Sequence, residues 1–415
     1  MSAPATPSDM NNSPLFPEIG IITLTPDHWQ QNWQTRHQIL SRLARYFHVA
    51  WMNPPADWRG TLREAFKHPR TPDSTSLPPA LHLYQPEPWL PYFYRPQWLA
   101  DWTFRRRLEH ARNLLLQQRC RKILLYLWRP EFLRALDLIP YDLSCYHMDD
   151  EYSFSSADLP ISGDERHLLE RVNQVFIHSP ALLEKKGKFN TNTEFVPNGV
   201  DYLSFSRAVP PPADITGIPH PRIGYTGYVK KQLDLPLLLR LSKANPNWQL
   251  IIVGETSPHS EITESIGKLR ALPNVHFLGA KSTSELAAYP QHFDVCIMPY
   301  VLDGYTRYIY PLKLHEYLAS GRPIVGTRIP SLELFAAMIC TAESDVQWQA
   351  CIAHQLLPEA SNPTNKDRRQ SVARQHDWGL LVERIARNLI RHVEPQLGVR
   401  LPSARSELPI SATLP

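Results

Sequence analysis

Lys313 and Glu316 lie one helical turn apart in the run Tyr310-Pro311-Leu312-Lys313-Leu314-His315-Glu316-Tyr317-Leu318-Ala319-Ser320-Gly321-Arg322-Pro323. Pro311 suits the first turn of a helix, where its missing N–H has no partner to lose, and Gly321 suits the left-handed position that ends one. The run therefore reads as a short helix feeding a strand over 323–327. The leading amides of such a helix, around Leu312 and Lys313, aim free N–H groups and the positive end of the macrodipole at one spot, which favours an anion. Lys313 adds a full charge there. Glu316 can accept hydrogen bonds from the vicinal hydroxyls of a ribose, as an acidic residue does in dinucleotide folds. Diphosphate on the helix start and ribose on the glutamate make a nucleotide-binding layout. The alternative is a solvated helix carrying an i,i+3 surface ion pair.

Such a helix needs a sheet to carry it. Short apolar runs recur along the chain between segments of helical period, the mark of a parallel α/β sheet. In the first half they predict strands over 19–24, 49–53, 81–84, 123–128, 143–148, 174–178 and 193–196. A helix is expected over 33–47, with Ile39, Leu40, Leu43, Ala44 and Phe47 on one face and Arg36, Arg42 and Arg45 on another. Val209-Pro210-Pro211-Pro212 breaks the pattern, since consecutive prolines exclude helix and central strand alike. It restarts with strands over 222–225, 248–253, 275–278, 295–298 and 323–327. Two doubly wound α/β domains result, over 18–208 and 222–376, joined by a proline-rich linker over 209–221. A disordered N-terminal tail is expected over 1–17, an amphipathic helix over 377–394 built on Leu380, Leu381, Ile385, Leu389 and Ile390, and a disordered tail over 395–415.

Composition bounds the partners. At 415 residues the chain exceeds one ordinary hydrophobic core, in line with two domains. A formal charge of +4 is too small to imply nucleic-acid binding. Cys120, Cys145, Cys296, Cys340 and Cys351 are odd in number, widely spaced and free of CxxC pairs, which points to reduced thiols in a cytoplasmic compartment and no structural metal. The first residues show no charged flank followed by an apolar segment, unlike a secretory signal. The longest apolar run, over 123–128, falls far short of the roughly 20 residues of a membrane-spanning helix.

The run P-L-K-L-H-E-Y-L-A-S-G-R-P-I-V-G-T, residues 311–327, resembles the donor-site signature of GT-B glycosyltransferases, above all the family 4-like sugar transferases (glycosyl transferases group 1) that act on lipid-linked or polysaccharide acceptors. Ile223-Gly224-Tyr225-Thr226-Gly227 with Asp234 is similar to the turn that opens their C-terminal domain, where Gly227 would let the backbone approach the donor phosphates. Val196-Pro197-Asn198-Gly199-Val200-Asp201 is similar to the segment that closes their N-terminal domain. The resemblance covers most of 18–395, tightly in the second half. It implies a GT-B fold of two Rossmann-like domains facing a cleft, a nucleotide-sugar donor in the second domain, a UDP-sugar foremost, and a glycan or lipid-linked acceptor in the first. It also implies a basic side chain near the diphosphate at Lys230 or Lys231, where a cation offsets charge growing on the leaving group; the alternative is a solvated lysine pair. Two departures stand out. Tyr308 occupies the place of the family's second acidic residue, and Thr25-Pro26-Asp27-His28-Trp29 replaces the usual Gly-Gly loop.

On the acceptor side, Asp149-Asp150-Glu151 lies just beyond the carboxyl end of the strand over 143–148, the edge that faces the ligand crevice in open α/β sheets. Asp149 or Asp150 suits a base that takes the acceptor proton, or a group that orients the acceptor, with His147 third. The alternative is an acidic helix start. Most tryptophans, Trp58 among them, precede residue 130, and the segment 98–122 sets Arg105, Arg106, Arg107, Arg112, Arg119, Arg121 and Lys122 beside Leu108, Leu114, Leu115 and Leu116. That pattern can lie on anionic lipid at the inner face of the cytoplasmic membrane, or be a solvated helix with its apolar face in the core. No D-x-D motif or His/Cys cluster indicates a catalytic metal. The expected activity is hexosyl transfer (EC 2.4) in cell-surface polysaccharide biosynthesis, with retention implied by the resemblance and inversion open through Asp149 or Asp150. A sugar-nucleotide epimerase on the same fold and a non-catalytic scaffold are the rivals, whereas a dinucleotide dehydrogenase is disfavoured because no G-x-G-x-x-G follows a strand.

Overall fold

The computed structural model describes residues 13–30, 33–56, 77–154, 157–258 and 260–397; Trp58 and most of the two expected tails lie outside them. The first sheet contains β1 (Ile19–Leu24), β2 (His48–Met52), β3 (Leu81–Tyr84), β4 (Lys122–Leu127), β5 (Leu143–Met148), β6 (Gln174–Ile177) and β7 (Thr193–Phe195), in the order β3-β2-β1-β4-β5-β6-β7. The second contains β8 (Arg222–Thr226), β9 (Gln249–Val253), β10 (Val275–Gly279), β11 (Val295–Met298), β12 (Ile324–Thr327) and β13 (Cys340–Ala342), in the order β10-β9-β8-β11-β12-β13. Every ladder within the two sheets is parallel. Helices cover both faces, so the strands are apolar along their length rather than alternating: all of β1 is buried, and so is all of β5. The expected pair of doubly wound domains is therefore present. Strand order reverses beside β1/β4 and beside β8/β11, and ligands bind outside the carboxyl ends of strands at such points.

The helices around these sheets include α1 (Thr35–Leu43), α2 (Gln97–Gln117), α3 (Gly163–Arg171), α4 (Pro180–Lys186), α5 (Leu312–Ser320), α6 (Pro363–Gln375) and α7 (Trp378–Leu397). After α6 the chain crosses back to the first domain. Leu381, Val382, Ile385, Ala386, Leu389 and Ile390 of α7 join Ile39, Leu40 and Leu43 of α1 in one buried cluster under the first sheet. The outward and return crossings touch: Val200 N–H donates to His376 O and Trp378 N–H to Val200 O, each at 3.0 Å. Gly199 makes this contact possible, because a Cβ there would meet His376 O at 2.7 Å.

Several expectations change. Residues 13–17 are not a loose tail: Leu15 and Phe16 N–H donate to Arg45 and Tyr46 O at 3.0 and 2.8 Å. The terminal helix runs to Leu397, beyond the expected end at 394. The linker holds a helical turn, Ala213–Thr216, that buries Ile215. Strand β13 escaped notice because it is three residues long and only partly buried. Not all cysteines are thiols: Cys340 and Cys351 form a disulfide, since β13 and the helix Asp345–Gln355 bring their Cα atoms to 5.9 Å. The apolar face of α2 is not free for lipid, because Leu108 and Leu115 sit in the core between helix and sheet.

Candidate active site

The donor-side groups converge at the β8/β11 switch. After β8, Gly227 turns the chain at φ +126° and its N–H donates to Val253 O at 2.8 Å. Gly254, just past β9, approaches so closely that a Cβ on it would meet Gly227 O at 2.0 Å. α5 begins beside this turn, with Pro311 at its N-cap and Gly321, at φ +73°, ending it. Among the described residues no acceptor is found for the N–H groups of Leu312 and Lys313. Lys313 Nζ donates to Tyr300 Oη at 3.1 Å and lies over the rings of Tyr225 and Tyr300, 5.0 and 5.5 Å from their centroids. Its Cε would be 3.3 Å from a Cβ at Gly227, so turn and helix start are in contact. Tyr317, one turn later, accepts from Thr226 N–H at 2.8 Å and holds the two together.

Glu316 is half-buried on this helix, and burial lifts its pKa to about 7 against the pull of Lys313. Among the described residues no hydrogen bond reaches its carboxylate. A carboxyl group shielded from water with its acceptor sites unmet is suited to receive donors from a ligand. Lys230 faces the same region. Burial and the charge of Lys313 lower its pKa while Asp150, across the cleft, raises it. Lys231 behaves differently: it is 68% exposed and pairs loosely with Glu261 at 4.0 Å. An open cavity of about 310 Å³ adjoins the turn, with Tyr228, Lys230, Lys231, Gln232, Ser257 and Glu261 in its wall, so both lysines border it.

On the acceptor side the three candidates separate. Asp149 is engaged, accepting from Arg36 Nη2 at 2.9 Å and from Tyr152 Oη at 2.7 Å. Arg36 also pairs with Asp27, so one buried guanidinium ties the loop after β1 to the loop after β5. Burial opposes the charge on Arg36, but Asp149, Tyr152 and Asp27 outweigh it and its pKa rises. His147 is withdrawn from the cleft, contrary to its expected third place. It is fully buried, stacked on Trp128 at 4.4 Å, bonded to Tyr126 Oη at 2.7 Å, and burial drives its pKa down to about 3. Strand β5 is central, so its residues point into packed helices on both faces. Asp150 is half-buried, as Asp149 is, but its side-chain partner comes from the facing domain. Burial raises its pKa, and Tyr305 Oη, from the other domain, donates to its two oxygens at 2.9 and 3.1 Å.

Other contributors were not anticipated. Tyr225, Tyr300 and Tyr317 cradle the lysine and the turn: Tyr225 lies near the end of β8, Tyr300 just past β11 and Tyr317 one turn after Lys313 on α5. Asn198 accepts from Thr35 Oγ1 at 2.8 Å and donates to Tyr310 O at 2.6 Å, linking the start of α1 to the residue before Pro311. Tyr308 does not stand in for the family's acid: its hydroxyl donates to Asp158 of the first domain at 2.5 Å.

Known proteins share this arrangement of sheets and turns. Residues 220–352 match the family described as Glycosyl transferases group 1, so the match covers most of the domain that holds Gly227, Lys313 and Glu316. The second domain is thus similar to the group 1 glycosyltransferases. The putative teichuronic acid biosynthesis glycosyltransferase TuaH of Bacillus subtilis (strain 168) is 28% identical over 237 residues, which is 54% of this chain and 58% of that protein. The match thus spans little more than half of the curated relative. Among solved structures, sucrose-phosphate synthase from Thermosynechococcus elongatus superposes with a TM-score of 0.68 at 17% identity, covering 91% of this chain and 99% of that one. Anabaena Alr3699/HepE in complex with UDP and glucose gives 0.64 at 14% identity, covering 90% and 100%. The fold is GT-B.

Proposed function

We propose that the protein transfers a sugar, a hexose, from a nucleotide-sugar donor, a UDP-sugar, to a hydroxyl of a glycan or lipid-linked acceptor in the assembly of a cell-surface polysaccharide. The observation that carries this reading is the convergence, against the bare Gly227 turn, of the Lys313 ammonium with the Leu312 and Lys313 amides and the Glu316 carboxylate, which have no partner among the described residues. The amides and Lys313 hold diphosphate, Glu316 receives the ribose hydroxyls, and Lys230 closes over the charge from the turn. The relative's role in teichuronic acid biosynthesis and the UDP and glucose found with the Anabaena protein support the polysaccharide and UDP assignments.

In the transfer step the acceptor oxygen bonds to the anomeric carbon as the bond from that carbon to the diphosphate oxygen breaks. The electron pair leaves with the nucleoside diphosphate, where Lys313, Lys230 and the helix amides offset it. The acceptor proton passes to Asp150, which meets the donor domain through Tyr305, whereas Asp149 is held by Arg36 and Tyr152. Two lysines fill the role that a divalent cation plays in other diphosphate sites, so chelation by EDTA leaves the rate unchanged. Thermal shift tests the donor: UDP-glucose raises the melting temperature more than GDP- or ADP-glucose, and Glu316→Ala removes the rise. A rise that survives this substitution would overturn the site. Transfer with a polyprenyl-linked acceptor, and its absence without one, separates transferase from epimerase and scaffold. The product's anomeric configuration decides between retention and inversion.

Among the described residues no helix is long and apolar enough to cross a membrane. We propose peripheral contact with anionic lipid through Trp89, Tyr92, Tyr94, Trp98 and Trp102, all exposed between β3 and the second turn of α2, beside exposed Arg95 and Arg105. Arg107 is buried beneath them and donates to Leu90 and Pro91 O at 2.8 and 3.0 Å, which fixes the loop that displays the rings. Sedimentation with phosphatidylglycerol vesicles, lost in Trp98→Ala/Trp102→Ala, tests this; wild-type protein left in the supernatant at low salt overturns it.

A further inference from the structure

Asp150 sits in the first domain, yet its closest side-chain partner comes from the second. The segment between β11 and α5 forms a tight turn in which Asp303 Oδ1 accepts from the N–H groups of Tyr305 and Thr306, at 2.9 and 2.7 Å. Thr306, fully buried, donates to Val301 O at 2.5 Å. The turn is thus fixed from within, and it holds Tyr305 out across the cleft. There the Tyr305 ring packs on Phe154 of the first domain with centroids 5.6 Å apart, and Gly304 leaves room for that ring, since a Cβ on it would meet Phe154 Cε2 at 3.0 Å. The hydroxyl reaches both oxygens of Asp150. Oδ1 also accepts from Glu151 N–H at 2.8 Å, so Oδ2 is the less committed oxygen, the one open to a further proton donor.

We propose that Tyr305 is the positioning residue of the acceptor-side base: it fixes the Asp150 carboxylate and favours its charged form, and because it is carried by the donor domain it does so only when the two domains meet. This rests on the assignment of Asp150 as base. A base completed by closure holds its proton affinity down while the cleft is shut over donor and acceptor, and lets it rise when the cleft opens to release product. The other titratable or charged groups that bear on Asp150 are Asp149, Tyr152 and His178 from its own domain and Lys230 from the facing one. Asp149 is paired with Arg36, burial lowers the pKa of His178, and Lys230 acts through charge without a hydrogen bond, so among the described residues Tyr305 is the side chain that hydrogen-bonds the carboxylate.

The sign follows from the bond. A phenol that donates to a carboxylate stabilises the charged form, so Tyr305→Phe raises the Asp150 pKa further above its ordinary value. With UDP-glucose and the polyprenyl-linked acceptor as probes, release of UDP in Tyr305→Phe keeps its KM for the donor while the acidic limb of the pH profile moves up by about one unit. Undiminished release in Asp150→Asn would overturn the base assignment. Loss of release in Asp150→Asn with an unmoved Tyr305→Phe profile would overturn the positioning role alone. A cycle of Tyr305→Phe and Asp150→Asn in the ligand-free protein needs no substrate: the melting temperatures show a coupling of about 2 °C or more at pH 8 that shrinks on acidification. Additive effects at pH 8 would also overturn the proposal.

Discussion

Glu316 carries a proton affinity set by its surroundings. Its folded pKa of about 7 lies above the value of 4.5 of a free glutamate. The native state therefore keeps a proton that the unfolded chain releases, and the stability this gives is complete below the unfolded value and lost as pH rises towards the folded one. A ribose that donates two hydroxyls reverses the penalty, because it stabilises the carboxylate. The rise in melting temperature produced by UDP should consequently grow between about pH 5.5 and about pH 8, and this growth should be absent in Glu316→Gln. Equal pH dependence in both proteins would show that the carboxylate does not meet the nucleoside. Lys313 gives a second test. Lys313→Met keeps the stem between the rings of Tyr225 and Tyr300 but removes the charge, so calorimetric affinity for UDP falls tenfold or more, roughly the value of one charged hydrogen bond, while the ligand-free protein keeps its melting temperature within about 2 °C.

At the scale of elements, most of the site could be read from residue order. The helix start at Pro311 and its stop at Gly321 are local signals, and the apolar runs of β8 and β11 follow from burial on both faces. What local signals cannot carry is which loops meet. Tyr305 reaches Asp150 across 155 positions of sequence, and nothing near either residue announces it. His147 misled for a related reason: adjacency to Asp149 along the chain says nothing of which way a central strand turns its side chain, and Trp128 stacks over it. The crossing of the two glycine turns belongs to this scale too. Gly254→Ala sets a methyl group on Gly227 O, backbone against backbone at a positive φ, and should cost about 2 kcal/mol or more and abolish the UDP-induced shift. Gly217→Ala, where a Cβ meets nothing within 4 Å, serves as the neutral control in the same denaturant titration.

For the molecule as a whole, the periodicity of α7 was visible but its destination was not. An amphipathic helix that follows the second domain could have covered that domain; instead Leu381, Ile385 and Leu389 complete the core of the first. Leu389 is fully buried, and Leu389→Ala should destabilise by about 2–4 kcal/mol. Hydrogen exchange would then quicken in β1 and α1, hundreds of residues away in sequence, before it quickens in β8 and β9. Uniform loss of protection across both domains would contradict this. The return of α7 also sets an order of events during synthesis. A ribosome delivers β1 to β7 long before the segment that seals them, so one side of that nascent sheet stays greasy and open until α7 has emerged, and a holdase chaperone has a defined interval in which to bind it.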